Sequence, residues 1–171
     1  RGVASGSLPL NILVPKFDDR TVRQSFPLTY ASNTFTVTIT PNCDVEATST
    51  VTILGLTDTL TYDTYSLGVT STNNAFEANG QWLRTTGSLI MTVASQMTGG
   101  TQYIVTFTLR NPSAEQSAVA LTVKGFIETG VIDAPIAEEA MIPQIYSVLG
   151  VENGSMPLTI VQAAWTVHKI G

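Results

Sequence analysis

Along much of this chain apolar and polar residues alternate one by one, the spacing of a strand that buries one face and shows the other to water. Phe35, Val37 and Ile39 alternate with Thr34, Thr36, Thr38 and Thr40, and Tyr103, Val105, Phe107 and Leu109 alternate with Gln102, Ile104, Thr106 and Thr108. Further β-type runs fall at residues 50–54, 64–70, 81–85, 88–94 and 118–127. Turn-forming residues punctuate them: Pro41-Asn42, Gly55, Asn73-Asn74, Asn79-Gly80, Gly87, Gly99-Gly100 and Asn111-Pro112. Many short strands with frequent turns and little helical periodicity predict an all-β fold, an immunoglobulin-like antiparallel sandwich of two sheets. One stretch breaks the pattern. Residues 134–142 (APIAEEAMI) place Pro135 and the Glu138-Glu139 pair where a first helical turn favours them, with Pro143 as a stop. This predicts one short helix near 135–142.

The two ends of the chain repeat one another. Gly2-Val3-Ala4-Ser5-Gly6-Ser7-Leu8-Pro9-Leu10-Asn11-Ile12 returns as Gly150-Val151-Glu152-Asn153-Gly154-Ser155-Met156-Pro157-Leu158-Thr159-Ile160, with seven of eleven positions identical at a constant offset of 148. The register continues more weakly, Leu13 meeting Val161, Phe17 meeting Trp165, Arg20 meeting His168 and Val22 meeting Ile170. The chain therefore divides into a connecting segment (1–24), a sandwich unit (25–148) and a second connecting segment (149–171) that copies the first. One period plus an overlap is what a slice of a tandem array contains. It is also what a subunit carries when it lends a terminal strand to its neighbour. In either case Leu8, Leu10, Ile12 and Val14 in the first copy, and Leu158, Ile160 and Trp165 in the second, are the candidate junction residues. Residues 8–14 read as a strand buried between sheets, which without a partner is an exposed edge.

Three stretches carry a resemblance: residues 38–56 (TITPNCDVEATSTVTILGL), 107–112 (FTLRNP) and 146–158 (YSVLGVENGSMPL). They resemble a sandwich repeat of very large surface and fibril proteins of algae and related protists. That resemblance implies an extracellular, cell-surface, glycosylated structural role, and brings no catalytic residues with it. In plan the chain is also similar to fibre subunits joined head to tail by a donated strand.

Composition narrows the function classes. At 171 residues the chain is the size of one domain with a substantial core. Charged residues make up 12 % against the usual ~25 %. The polar surface is drawn instead from 26 Thr and 13 Ser, strand-favouring hydroxyls that are also potential O-glycan acceptors. A net charge of −5, with Lys16, Arg20 and Arg23 as the sole loose basic group, argues against nucleic acid or an anionic membrane as partner. No segment is long and apolar enough for membrane insertion, and the start at Arg1 without a signal peptide reads as a processed or excerpted chain. The single cysteine, Cys43, excludes an internal disulfide and reads as buried, with pairing between chains as the alternative.

Catalytic chemistry finds little support. His168 is the only histidine, no nucleophile elbow or metal-spaced His pair exists, and Glu138 and Glu139 are adjacent rather than facing. No cofactor is expected. Calcium is a lesser candidate through Asp18-Asp19, Asp44, Glu46, Asp58 and Asp63, without any recognised calcium motif. Asn153-Gly154-Ser155 is an N-glycosylation sequon. The leading expectation is a structural, non-enzymatic unit of an extracellular filament, appendage or coat, whose partners are copies of itself or neighbouring repeats. The alternative is an adhesin or carbohydrate-binding module, for which Trp82, Trp165, Tyr30, Tyr62, Tyr65 and Tyr103 are the candidate stacking side chains.

Overall fold

The computed structural model describes residues 12–130 and 133–164. The alternating runs become ten strands: β1 (Phe17–Gln24), β2 (Ser32–Pro41), β3 (Thr50–Leu54), β4 (Thr64–Ser71), β5 (Asn79–Leu83), β6 (Ser88–Thr92), β7 (Tyr103–Arg110), β8 (Thr122–Ile127), β9 (Ala134–Ala140) and β10 (Ile142–Pro143). They form one mixed sheet in the order β10-β1-β2-β7-β4-β5-β6-β3-β8-β9. Every pairing is antiparallel except β1 with β10. Only Met141 separates the last residue of β9 from the first of β10. One extended segment thus pairs with β8 at one edge of the sheet and with β1 at the other, and the sheet is nearly closed into a barrel.

Alternation sets the inside of this barrel. On β2, Asn33, Phe35, Val37 and Ile39 are buried while the threonines between them are half-exposed. β7 does the same with Tyr103, Val105, Phe107 and Leu109. The register puts Phe35 opposite Phe107, and their rings stack at 5.4 Å and 11°. Trp82 fills the core from β5, its indole N–H donating to the Thr61 carbonyl at 3.1 Å. On the outer face Thr34 bonds Thr108 and Thr70 bonds Thr106 through their hydroxyls, so the abundant threonine does form the solvent face of strands.

Two local expectations are corrected. Residues 134–142 are not a helix: 134–140 are strand β9, paired with β8 from Thr122↔Ala140 to Ile127↔Ala134. Here sheet hydrogen bonds and burial of Ile136 outweigh weak helix-start signals. The two prolines are tolerated because β9 lies at the end of the sheet order and β10 is a two-residue strand at its other end. Asn79-Gly80, read as a turn, lies inside β5. Gly80 is needed there for space, since a Cβ would sit 2.8 Å from the Leu89 side chain. Gly87, by contrast, is a true turn glycine, with φ +59° and a virtual Cβ 2.7 Å from the Leu56 backbone.

The closure is tied by Arg20. Its Nε donates to the Ala140 carbonyl at 2.8 Å and its guanidinium pairs with Glu139 at 3.0 Å. Glu138 points the other way, accepting from the Thr122 hydroxyl at 2.7 Å. The paired glutamates therefore serve opposite faces of a strand. Replacing Arg20 with alanine should lower unfolding free energy by about 1.5–3 kcal/mol, the range for hydrogen bonds to charged groups. Urea denaturation reads this directly, and an unchanged midpoint would show that closure does not depend on it.

Candidate junction site

The second copy of the repeat packs against the barrel, and three buried amide side chains place it there. Asn33 and Asn111 occupy inward positions of the alternation that carries Phe35 and Leu109, and Gln24 shares the inward phase of Val22. Asn33 Nδ2 donates to Gln24 Oε1 (2.9 Å) and Asn111 Oδ1 (2.8 Å), while its Oδ1 accepts the Ser25 and Phe26 amides. Asn111 Nδ2 donates to the Phe26 and Leu28 carbonyls at 2.7 and 2.8 Å. Gln24 then turns outward to the repeat: Nε2 donates to the Gly154 and Thr159 carbonyls, and Oε1 accepts the Leu158 amide at 2.7 Å. Each donor of the three amides has an acceptor, which is what makes so polar a cluster tolerable away from water.

Of the connecting strand expected over 149–171, residues 165–171 lie outside the described residues and residues 149–159 are not a strand. They are a run of turns, with Val148 and Val151 bonded to each other and Leu149, Gly150, Asn153 and Leu158 in the left-handed region. Single backbone bonds run from the Gln24 and Val119 amides to the Ser155 and Pro157 carbonyls, and strand-like pairing starts at the end: Ile160 exchanges two hydrogen bonds with Gln116, and Val161 donates to the Pro27 carbonyl and accepts from Thr29. Of the expected junction residues, Leu158 and Ile160 are buried in this seat. In the first copy Ile12 and Val14 are 85 % and 71 % exposed and not in a strand. Leu8, Leu10, Trp165 and His168 lie outside the described residues.

The described residues that follow the first copy join the barrel at its other end. Asn42 donates to the Val14 carbonyl at 2.9 Å and accepts the Lys16 amide at 3.0 Å, next to Phe17 where β1 begins. The second copy is held at Gln24, where β1 ends. Eight residues of strand, roughly 26 Å, separate the two attachment points.

No protein-family model and no curated protein sequence significantly matches the chain.

The remaining candidate residues scatter. The Asn153 side chain is exposed, but the hydroxyl of Ser155 in the same sequon is buried, accepting the Tyr146 amide at 2.7 Å and lying within reach of the Gln144 and Tyr146 carbonyls. Asp18 is ion-paired with Lys16 at 2.7 Å, Asp19 accepts from Gln102, and Asp44 accepts the Gly99 amide. Among the described residues no group of three potential metal ligands forms. Cys43 is buried, and burial, then the nearby Asp44, pushes its thiol pKa up. Trp82 and Tyr103 are core residues, whereas Tyr62 and Tyr65 are 80 % and 81 % exposed. The Arg84 guanidinium sits 5.7 Å from the Tyr62 ring centre.

The amides escaped the sequence reading because Asn and Gln at strand ends look like turn signals. Their inward phase, continuous with the apolar residues, was the available clue.

Asn33→Ala should cost about 3–5 kcal/mol, since it leaves several buried groups without partners. Asn111→Ala should cost much less in the Asn33→Ala background than alone, and additive losses in a double-mutant cycle would show that the amides act separately. Cys43 should react with a maleimide far more slowly in the native chain than in urea, its thiol being both buried and held protonated. Equal rates would contradict its burial.

Proposed function

We propose that this chain is a structural unit of an extracellular filament, appendage or surface coat, joined head to tail to identical or neighbouring units through its terminal segments. The observation that carries this reading is the placement of the two attachment points. The second copy and the described residues that follow the first are bonded to the barrel at opposite ends of β1, so in this reading successive units related by the repeat lie end to end rather than side by side. The exposed apolar residues of the first copy support it, because Ile12 has no cover in the single unit while its counterpart Ile160 is 1 % exposed. The surface rich in threonine and poor in charge fits an external, glycosylated protein, and Asn153 is an accessible acceptor for a glycan added before Ser155 is buried. The resemblance to algal and protist surface repeats points the same way, and within this reading the nearly closed sheet is a variant of the two-sheet sandwich in which β9 and β10 join the edges.

The mechanism is mechanical. Burying each large apolar side chain of a connecting segment contributes about 1.5–3 kcal/mol before ordering costs, and backbone pairing fixes the register.

Electron microscopy of the native material beside a denaturing gel, with and without deglycosylation, tests this reading. Fibres with an axial period of roughly 30–50 Å are expected, from β1 plus the few residues that lead to the next unit. A unit-sized band from such fibres means non-covalent joining, and a very large polypeptide means a tandem array. Monomers without fibres under all conditions would overturn the reading. Ile12→Asp should weaken assembly while leaving the unit's own unfolding midpoint unchanged.

A second reading is favoured by one observation: the exposed Tyr62 and Tyr65, with Arg84 beside Tyr62, offer aromatic faces to a sugar. A carbohydrate-binding module would lose glycan affinity in Tyr62→Ala and Tyr65→Ala. Absence of measurable glycan binding by the intact chain removes this reading.

A further inference from the structure

The two copies of the repeat differ at only four of eleven positions, and burial separates those four from five of the seven identical ones. Gly154, Ser155, Pro157, Leu158 and Ile160, identical to Gly6, Ser7, Pro9, Leu10 and Ile12, are all buried. The four that differ, Glu152, Asn153, Met156 and Thr159, are exposed or only half-buried. Each buried identity has a structural reason. A Cβ on residue 154 would approach the Val151 carbonyl at 2.9 Å and the Pro27 ring at 3.1 Å. Ser155 carries the hydroxyl that bonds the Tyr146 amide, the Pro157 carbonyl accepts the Val119 amide, and Leu158 presents its amide to Gln24. Ile160 pairs with Gln116. The remaining two identities, Gly150 and Val151, shape the preceding turn, Gly150 at φ +77° and Val151 bonded to Val148. Five of the seven residues that the first copy retains are therefore those buried in the seat, and the other two shape the turn that leads into it.

We infer that residues 2–12 of a second copy of this chain are a ligand for the seat formed by Gln24, Pro27, Gln116 and Val119, taking the place that residues 150–160 hold here. This rests on the head-to-tail reading and identifies its joint. The hydrogen bonds that select the segment are mostly to its backbone, so side chains that change between copies do not disturb them, while Gly6, Leu10 and Ile12 supply the fit. The same arrangement makes the joint stiff. Val161 and the amide of Gln162 are bound to the unit that owns the seat, through Pro27, Thr29 and Glu115. In the first copy the Val14 carbonyl, at the position of Gln162, is bound by Asn42 of the unit that follows. One residue is thus gripped by successive units on its two sides, leaving no slack between them.

The test uses a synthetic peptide of residues 1–16 and the full chain with Leu158→Asp, which disfavours seating of its own second copy. The peptide should raise the melting temperature of this variant by several degrees, and a peptide carrying Leu10→Asp should act at least ten-fold more weakly. No difference between the two peptides on a folded variant overturns the inference. Should Leu158→Asp not fold, the full chain with Cys43→Ala and Gln116→Cys is refolded from urea with excess peptide carrying Ile12→Cys. A disulfide adduct well above that of a scrambled Cys peptide is expected, and equal yields overturn the inference. Fibres built from units whose seat ignores the peptide would leave the head-to-tail reading standing and sink only this joint. Peptide capture without fibres would do the reverse.

Discussion

The arrangement of this molecule depends on three buried amides. Gln24, Asn33 and Asn111 lie on three different segments, and each uses its side chain to bind backbone that the sheet itself leaves unpaired. Asn33 holds the chain as it leaves β1, Asn111 holds the loop between β1 and β2, and Gln24 holds the returning C-terminal segment. An apolar core cannot do this, because segments that run as turns expose amides and carbonyls that must find partners when buried. The cluster converts one end of the barrel into a surface with directional hydrogen bonds, and that end receives the repeat.

The other constraint is closure. A ten-stranded open sheet would present two edges ready to pair with other chains. Here one segment, bent at Met141, serves as both edges, and Arg20 ties the bend to β1. Growth by edge pairing is thereby limited, and in the proposed head-to-tail reading extension falls instead to the two ends of β1. Closure and junction are linked: β10 hands the chain on to residues 144–161, with the Gln144 amide donating to the Val22 carbonyl.

The strands were legible because burial on one face leaves a period-two trace, as on β2 and β7, where each expected inward side chain is inward. β9 was not legible, since APIAEEAMI carries helix-start residues and only one deeply buried side chain, Ile136, within the strand. Its conformation comes from pairing with β8, which is remote information. Gly80 misled for a related reason: a glycine needed for close packing has the same letter as one needed for a turn. The second copy of the repeat was visible in the sequence, yet its shape did not follow from hydropathy. Leu158 and Ile160 are buried as their apolar character suggests, but in a run of turns shaped by Gly150, Asn153 and Leu158 in left-handed conformations, which no alternation encodes.

The central claim is that one segment belongs to two units at once, and amide hydrogen exchange reads it most directly. In assembled material, residues 2–12 should be protected to the degree found for residues 154–161 of a single unit, and in a dissociated unit they should exchange freely. Residues 2–12 that exchange equally fast in both states would contradict the account.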